Sequence, residues 1–232
     1  MLMSIIWCIT SNPNSVTNIK TVLFDLDGTL IDTAPDMAAA LTVLCQEEHQ
    51  PALAYDQVRP VVSNGSVALI KLAFGDLKDG TRLEHLKQRY LEIYQENICI
   101  DSIPFEGIEK VLDHIERSGL NWGVVTNKPG WLTLPLMKSL QLAQRAATIV
   151  SGDTTANSKP HPDPMHHACD EARSESHECL YVGDARRDIE AGRNAGMKTL
   201  VANYGYIEKD EDVTSWGADA IINAPEDILQ HL

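Results

Sequence analysis

No stretch of the 232 residues stays apolar for anything near the ~20 residues a membrane-crossing helix needs. Basic charge is scarce: 19 Lys and Arg stand against 33 Asp and Glu, a formal net charge of −14. A surface that acidic repels phosphate backbones and anionic lipid heads, which excludes the nucleic-acid and membrane-surface classes. Cysteines are few and odd in number, five in all: Cys8, Cys45, Cys99, Cys169 and Cys179. No pair has the two-residue spacing of a zinc or redox motif, so buried free thiols in a reducing cytoplasm are expected. Internal repeats and low-complexity tracts are lacking. Residues 1–18 lack the basic start and small-residue cleavage site of a signal peptide; they read as an extension with no function of its own.

What is present is an ordinary globular composition, 44% apolar and 22% charged, which rules out wholesale disorder. The length suits one domain, or one domain with a smaller insertion. Short apolar runs at Thr21–Phe24, 122–125, Thr148–Val150, 179–182, 199–201 and Ala220–Ile222 alternate with segments of helical length at 106–118, 132–140, 165–173 and 188–195. Continuous Val/Ile-rich runs suit strands buried on both faces. Strand and helix in alternation predict an α/β fold, a Rossmann-like parallel sheet with its ligand site at the carboxyl ends of the strands.

Residues 36–101 break the alternation. Helices are expected at 36–49 and 81–97, the second opened by a capping box of Thr81 and Glu84. The organisation expected is an extension at 1–18, an α/β core from 19–35 and 102–232, and an inserted all-helical cap at 36–101.

Four polar constellations follow the apolar runs. The first is Asp25-Leu26-Asp27-Gly28-Thr29, whose fixed positions would match by chance at on the order of one site in 10⁵. Two carboxylates held close stay ionised only with a cation between them or with a shared proton. That points to Mg²⁺, with one acid free to act as nucleophile and the other as acid/base; an Asp-Gly turn is the plain alternative. The second is Thr126-Asn127-Lys128, where a hydroxyl and the following amides can bind a phosphoryl oxygen, or Thr126 can cap a helix. The third is Lys159 in a proline-rich segment, 158–164, expected to be stiff and extended. A Lys so presented beside two carboxylates can neutralise a transferring phosphoryl group. His161, His166 and His167 read as surface histidines. The fourth is Gly183-Asp184-Ala185-Arg186-Arg187-Asp188, whose two acids suit a hard cation better than helix capping alone.

With these four in order, the chain resembles the haloacid dehalogenase superfamily phosphatases from about Lys20 to its C-terminus. The helical insertion, with Ile31-Asp32-Thr33, Gly107, Gly192, Gly196 and Tyr204-Gly205-Tyr206, resembles the phosphoglycolate phosphatase-like branch. Within it, the stretch from Trp122 to Pro129, Tyr204-Gly205-Tyr206-Ile207 and Trp216-Gly217-Ala218-Asp219 are similar to those of bacterial phosphatases of N-acetylmuramic acid 6-phosphate.

The resemblance implies that Asp25 forms an aspartyl-phosphate and Asp27 serves as acid/base. It implies that Thr126, Asn127 and Lys159 hold the phosphoryl group, and that Mg²⁺ is bound by Asp25, Asp27 through its carbonyl, Asp184 and Asp188. The expected partner is a small phosphate ester, with phosphoglycolate as the alternative substrate, and neither nucleic acid nor membrane; a monomer or homodimer is expected. One departure is Ala185, where relatives often carry an acid or Ser, which bears on contacts around the metal. Asn64 and Gly65, in the most polar short loop of the insertion, are the candidates for substrate choice, a plain turn being the alternative; Arg59 reads as solvated. A metal-free dehalogenase is disfavoured by Asp27. A sugar-phosphate mutase and a phosphosugar-binding protein without turnover are the remaining rivals.

Overall fold

The computed structural model describes residues 19–232; the extension 1–18 and Cys8 lie outside them. Six parallel strands make one sheet: β1 (Thr21–Phe24), β4 (Asn121–Val125), β5 (Thr148–Val150), β6 (Cys179–Gly183), β7 (Lys198–Ala202) and β8 (Ala220–Ile222). Their spatial order is β5-β4-β1-β6-β7-β8. All six expected runs are strands of this sheet, extended by a residue or two where pairing continues past the apolar run. The chain winds outward from β1 in both directions, so the carboxyl ends of β1, β4 and β6 meet at the switch point where a ligand crevice forms.

The continuous apolar runs are explained by two covered faces. Val22 and Phe24 of β1 point into a cluster with Ile108, Val111, Leu112 and Ile115 of helix α5 (Ile108–Arg117), which repeat at helical spacing. Leu23, between them, faces the other way, onto Met165, Ala168 and Cys169 of α7 (Asp163–Ala172). Helix α6 (Gly130–Ser139) follows β4, and α8 (Arg186–Asn194) follows β6.

Between β1 and α5 lies the helical cap: α1 (Ala34–Glu47), α2 (Tyr55–Val58), a 3-10 turn at Arg59–Asn64, α3 (Gly65–Phe74) and α4 (Gly80–Glu96). These helices share an apolar cluster that includes Leu41, Leu44, Leu69, Leu86 and Tyr90 and that Leu132 and Tyr206 of the core join. The cap of α4 differs from expectation. Asp79, not Thr81, is the capping residue, its carboxylate accepting from Thr81 N at 2.9 Å. Glu84 instead pairs with Lys87 at 2.8 Å. An Asp immediately before the helix presents a side-chain acceptor two residues earlier than Thr81.

The two links between cap and core are tied together. Ile31–Asp32 (β2) pairs antiparallel with Ile103–Pro104 (β3). The carboxylate of Asp36 accepts from the backbone N–H groups of Ile100, Asp101 and Ser102 at 2.9–3.0 Å and from the Ser102 hydroxyl at 2.6 Å. These two-residue strands are too short to leave a readable alternation. Among the described residues no helix is long and apolar enough to cross a membrane.

Candidate active site

The strand ends deliver their acids to one place. Oxygens of Asp25, Asp184 and Asp188 lie within 4.8 Å of one another, all three residues buried. Asp25 leaves the end of β1, Asp184 follows β6, and Asp188 sits in the first turn of α8. There its Oδ2 accepts from Ala185 N at 2.9 Å. Ala185 therefore contributes its backbone, which any residue could supply. The side chain of Asp27 does not join this cluster; it turns toward Lys128 and Thr33. Three carboxylates, not four, converge.

Lys159 stands against two of them. Its Nζ is 2.9 Å from Asp25 Oδ1 and 2.7 Å from Asp188 Oδ1. Its well-directed hydrogen bonds go instead to Val125 O and Tyr181 Oη, both at 2.8 Å. Asp25 Oδ1 and Asp188 Oδ1 are thus buried acceptors with no hydrogen bond of good geometry. Burial, with Asp25 and Asp188 alongside, pushes the carboxyl of Asp184 up to about 7. Asp188 is raised by burial too, against the pull of Lys159. Three buried oxygens of a hard, anionic donor set, two of them without a donor, fit a divalent cation such as Mg²⁺.

Close backbone approach makes the cluster possible. Gly28 has φ +87, and a Cβ there would lie 2.2 Å from Asp184 Oδ2. Any side chain at 28 would displace a carboxylate of the cluster, which is why a glycine follows Asp27.

The Lys159 segment is turned, not extended. His161 N donates to Ser158 O at 3.0 Å, and the Lys159–Pro160 peptide is cis; prolines suit turns as readily as extended chain. Asn127 holds this turn from β4. Its Nδ2 donates to Lys159 O and its Oδ1 accepts from Lys159 N, both at 3.0 Å. Both ends of its amide side chain are thereby engaged with the backbone of Lys159. Thr126 lines the adjoining cavity, and its Oγ1 accepts from Lys128 N at 3.2 Å. His161 pairs with Asp163 and His167 with Glu171 at the surface, apart from the acids.

Between core and cap lies a cavity of about 510 Å³, with Asp25, Asp27, Thr126, Asn127, Lys128 and Arg187 on its core side. The cap side includes Val62, Ser63, Asn64, Gly65, Lys87 and Tyr94. Several polar contacts seat the cap. Ser63 Oγ donates to Asp184 Oδ2 at 2.6 Å, and Arg187 donates to Ser63 O. Asn64 Nδ2 donates to Glu208 Oε1 at 3.0 Å, and Gly65, with φ +82, opens α3. Arg59, expected in solvent, lies over the Tyr206 ring at 4.9 Å and donates to Gly205 O at 3.2 Å. Tyr206 donates to Asp32 Oδ1 at 2.6 Å.

Lys128, Arg187, Ser63 and Thr33 were not singled out from sequence. Lys128 and Arg187 lie inside or beside the motif strings, where a basic residue in a site lined by carboxylates was the available signal. Nothing in the sequence marks Ser63 beyond its place in the polar loop.

The sequence profile of the haloacid dehalogenase-like hydrolases matches residues 22–202. The chain belongs to that family. A Pseudomonas aeruginosa N-acetylmuramic acid 6-phosphate phosphatase is 42% identical over 92% of this chain and 95% of its own length. A Xanthomonas campestris phosphoglycolate phosphatase is 41% identical over 91% of this chain and 95% of its own. The crystal structure of a predicted phosphoglycolate phosphatase from Haemophilus somnus superposes with a TM-score of 0.82 at 26% identity, covering 93% of this chain and 99% of that one. The family, the acid cluster and these relatives make the protein a phosphatase, and its parallel sheet with an inserted helical cap is the fold of that family.

Proposed function

We propose that the chain hydrolyses N-acetylmuramic acid 6-phosphate through an aspartyl-phosphate on Asp25. Asp25 attacks phosphorus while Asp27 gives a proton to the leaving sugar oxygen. Asp27 then takes a proton from the water that opens the intermediate. Lys159, held by Val125 O and Tyr181, and Thr126 meet the phosphoryl oxygens; Asn127 fixes the turn that carries Lys159. The side chains of Asp25, Asp184 and Asp188, with the carbonyl of Asp27, would hold Mg²⁺. A bound Mg²⁺ supplies charge neutralisation for the phosphoryl oxygens.

The observation that carries the substrate assignment is the cavity. Its volume of about 510 Å³ falls within the ~300–1,000 Å³ of pockets that enclose sizeable organic ligands. The cap side adds an apolar wall of Val62, Val67 and Leu91 with polar Ser63, Asn64 and Lys87. A two-carbon glycolate would leave most of that wall untouched, whereas a substituted amino sugar spans it. The first two relatives, 42% and 41% identical, are phosphatases of that sugar phosphate. Phosphoglycolate is the second reading, favoured by the Xanthomonas relative at 41% identity.

The test is kcat/KM for both esters on one preparation with Mg²⁺ present. A preference of at least about tenfold for the sugar phosphate is expected, one missed buried hydrogen bond being worth ~1–3 kcal/mol. A ratio favouring phosphoglycolate would overturn the substrate assignment and leave the phosphatase intact.

A further inference from the structure

Asp27 is held by groups outside the acid cluster. Its Oδ1 accepts from Thr33 Oγ1 at 2.7 Å and from Lys128 Nζ at 2.8 Å. No donor among the described residues reaches Oδ2. Lys128 is only 8% exposed, a position that lysine takes up only when paired. Its backbone is pinned as well, its N–H donating to Thr126 Oγ1 and its carbonyl accepting from Thr133 Oγ1.

The second partner of Lys128 comes from the cap. Nζ donates to Tyr94 Oη at 3.0 Å and lies 4.5 Å from the centre of the Tyr94 ring. Tyr94 is buried in α4, among the apolar side chains of the cap. A continuous polar chain therefore runs from the cap through Lys128 to one oxygen of Asp27.

With Oδ1 already accepting two hydrogen bonds, Oδ2 is the carboxyl oxygen left open toward a substrate. We propose that Lys128 is a positioning residue for Asp27, set in turn by Tyr94, so that Asp27 presents Oδ2 to the leaving group when the cap is seated. In that step the Oδ2–H proton passes to the leaving oxygen as the P–O bond breaks, and the bonding pair stays with that oxygen. Lys128 touches no reacting atom; it fixes which carboxyl oxygen faces the ester.

The inference rests on Asp27 being the proton donor, and the experiment separates the two claims. kcat/KM is measured with Mg²⁺ for an alkyl phosphate, whose alkoxide needs a proton, and for p-nitrophenyl phosphate, whose phenolate leaves without one. This parameter ends at departure of the first leaving group, so the later base role of Asp27 does not enter. Lys128→Met is expected to lose about 100-fold on the alkyl ester, the low end of general-acid contributions, and under about fivefold on the aryl ester. Tyr94→Phe, which removes one hydroxyl, is expected to show the same pattern at about tenfold on the alkyl ester, and it carries the test if Lys128→Met does not fold. Equal losses on both esters, or a raised KM with kcat unchanged on both, would overturn the inference, because a structural or anion-binding lysine behaves so. Asp27→Asn is the reference. If it shows no dependence on the leaving group, the acid assignment itself fails. If it does and neither Lys128→Met nor Tyr94→Phe follows, only the positioning claim fails.

Discussion

The floor of the cavity and its roof are built by different means. On the floor, strand ends, a helix start and a single turn fix Asp25, Asp184, Asp188 and Lys159, all at most 4% exposed. Backbone groups aim these side chains: Ala185 N–H for Asp188, Tyr206 N–H for Asp184 and Val125 O for Lys159. On the roof, the cap meets the core through side chains, Tyr94 to Lys128, Ser63 to Asp184 and Asn64 to Glu208. On the proposed reading, the floor handles the phosphoryl group, which every phosphomonoester shares, and the roof meets the alcohol, which differs. A site divided this way can keep its chemistry while its substrate changes, since cap residues can be exchanged without disturbing strand ends.

The comparison breaks if floor and roof respond alike to substitution. The largest expected effect is on the floor. Asp25→Asn replaces the nucleophile by an amide, and turnover is expected to fall by ~10⁴-fold or more on every ester, alkyl or aryl. The melting temperature should hold, because Asn occupies the same space and removes a buried charge whose Oδ1 has no hydrogen bond of good geometry. Steady-state phosphate release and a thermal melt on one preparation check both halves. Residual turnover within tenfold of the parent would exclude a covalent route through Asp25.

A second prediction concerns what the floor costs when it is empty. The Asp184 carboxyl is raised from 3.8 to about 7 by burial and by Asp25 and Asp188. The folded chain then binds a proton that the unfolded chain has released between about pH 4 and 7, so stability falls as pH rises across that window. At ~1.4 kcal/mol per unit, this shift from 3.8 to about 7 is worth roughly 4 kcal/mol above pH 7. Asp184→Asn stays neutral at every pH and keeps an acceptor oxygen for Tyr206 N–H. In chelator-treated protein it should melt higher than the parent at pH 8 and close to it at pH 4. Asp188, raised in the same direction, leaves a residual slope in both. Adding Mg²⁺ should raise the parent's melting temperature at pH 8 more than the variant's. Parallel melting curves for the two proteins would show that Asp184 is not the source of the slope.

The same division explains what could be read in the sequence. Thr21–Phe24 is buried on both faces and therefore continuously apolar, and Asp25, Thr126 and Asp184 each follow an apolar run. A strand end, a turn and a helix start are local, so residues within a few positions of one another carry the geometry. The contacts of Lys128 with Tyr94 and of Ser63 with Asp184 join residues 34 and 121 positions apart. No local pattern encodes them, because they depend on where a whole helical unit is seated. The same reason hid the docking of Arg59, whose partner ring is Tyr206, and the engagement of Asn127 with the Lys159 turn. The proline-rich segment misled differently: its composition is equally that of an extended chain and of a turn, and only the return of His161 N–H to Ser158 O distinguishes them.

The smallest expected effect lies at the rim of the roof. Asn64 is exposed, and its amide donates to Glu208 across the cap–core boundary at 3.0 Å. A solvent-accessible hydrogen bond contributes about 0.5–1.5 kcal/mol at most, since water replaces the lost partner. Asn64→Ala is therefore expected to lower kcat/KM by about two- to tenfold. If the bond only helps to seat the cap, Glu208→Ala should reproduce that loss, and the double variant should lose no more than either single one. The loss should also appear equally with the sugar phosphate and with p-nitrophenyl phosphate. If Asn64 instead contacts the alcohol of the substrate, Glu208→Ala is nearly silent and Asn64→Ala discriminates between the two esters. The double-mutant cycle on both substrates thus decides whether this residue belongs to the closing of the cap or to the choice of substrate, and the exposed bond to Glu208 favours the closing.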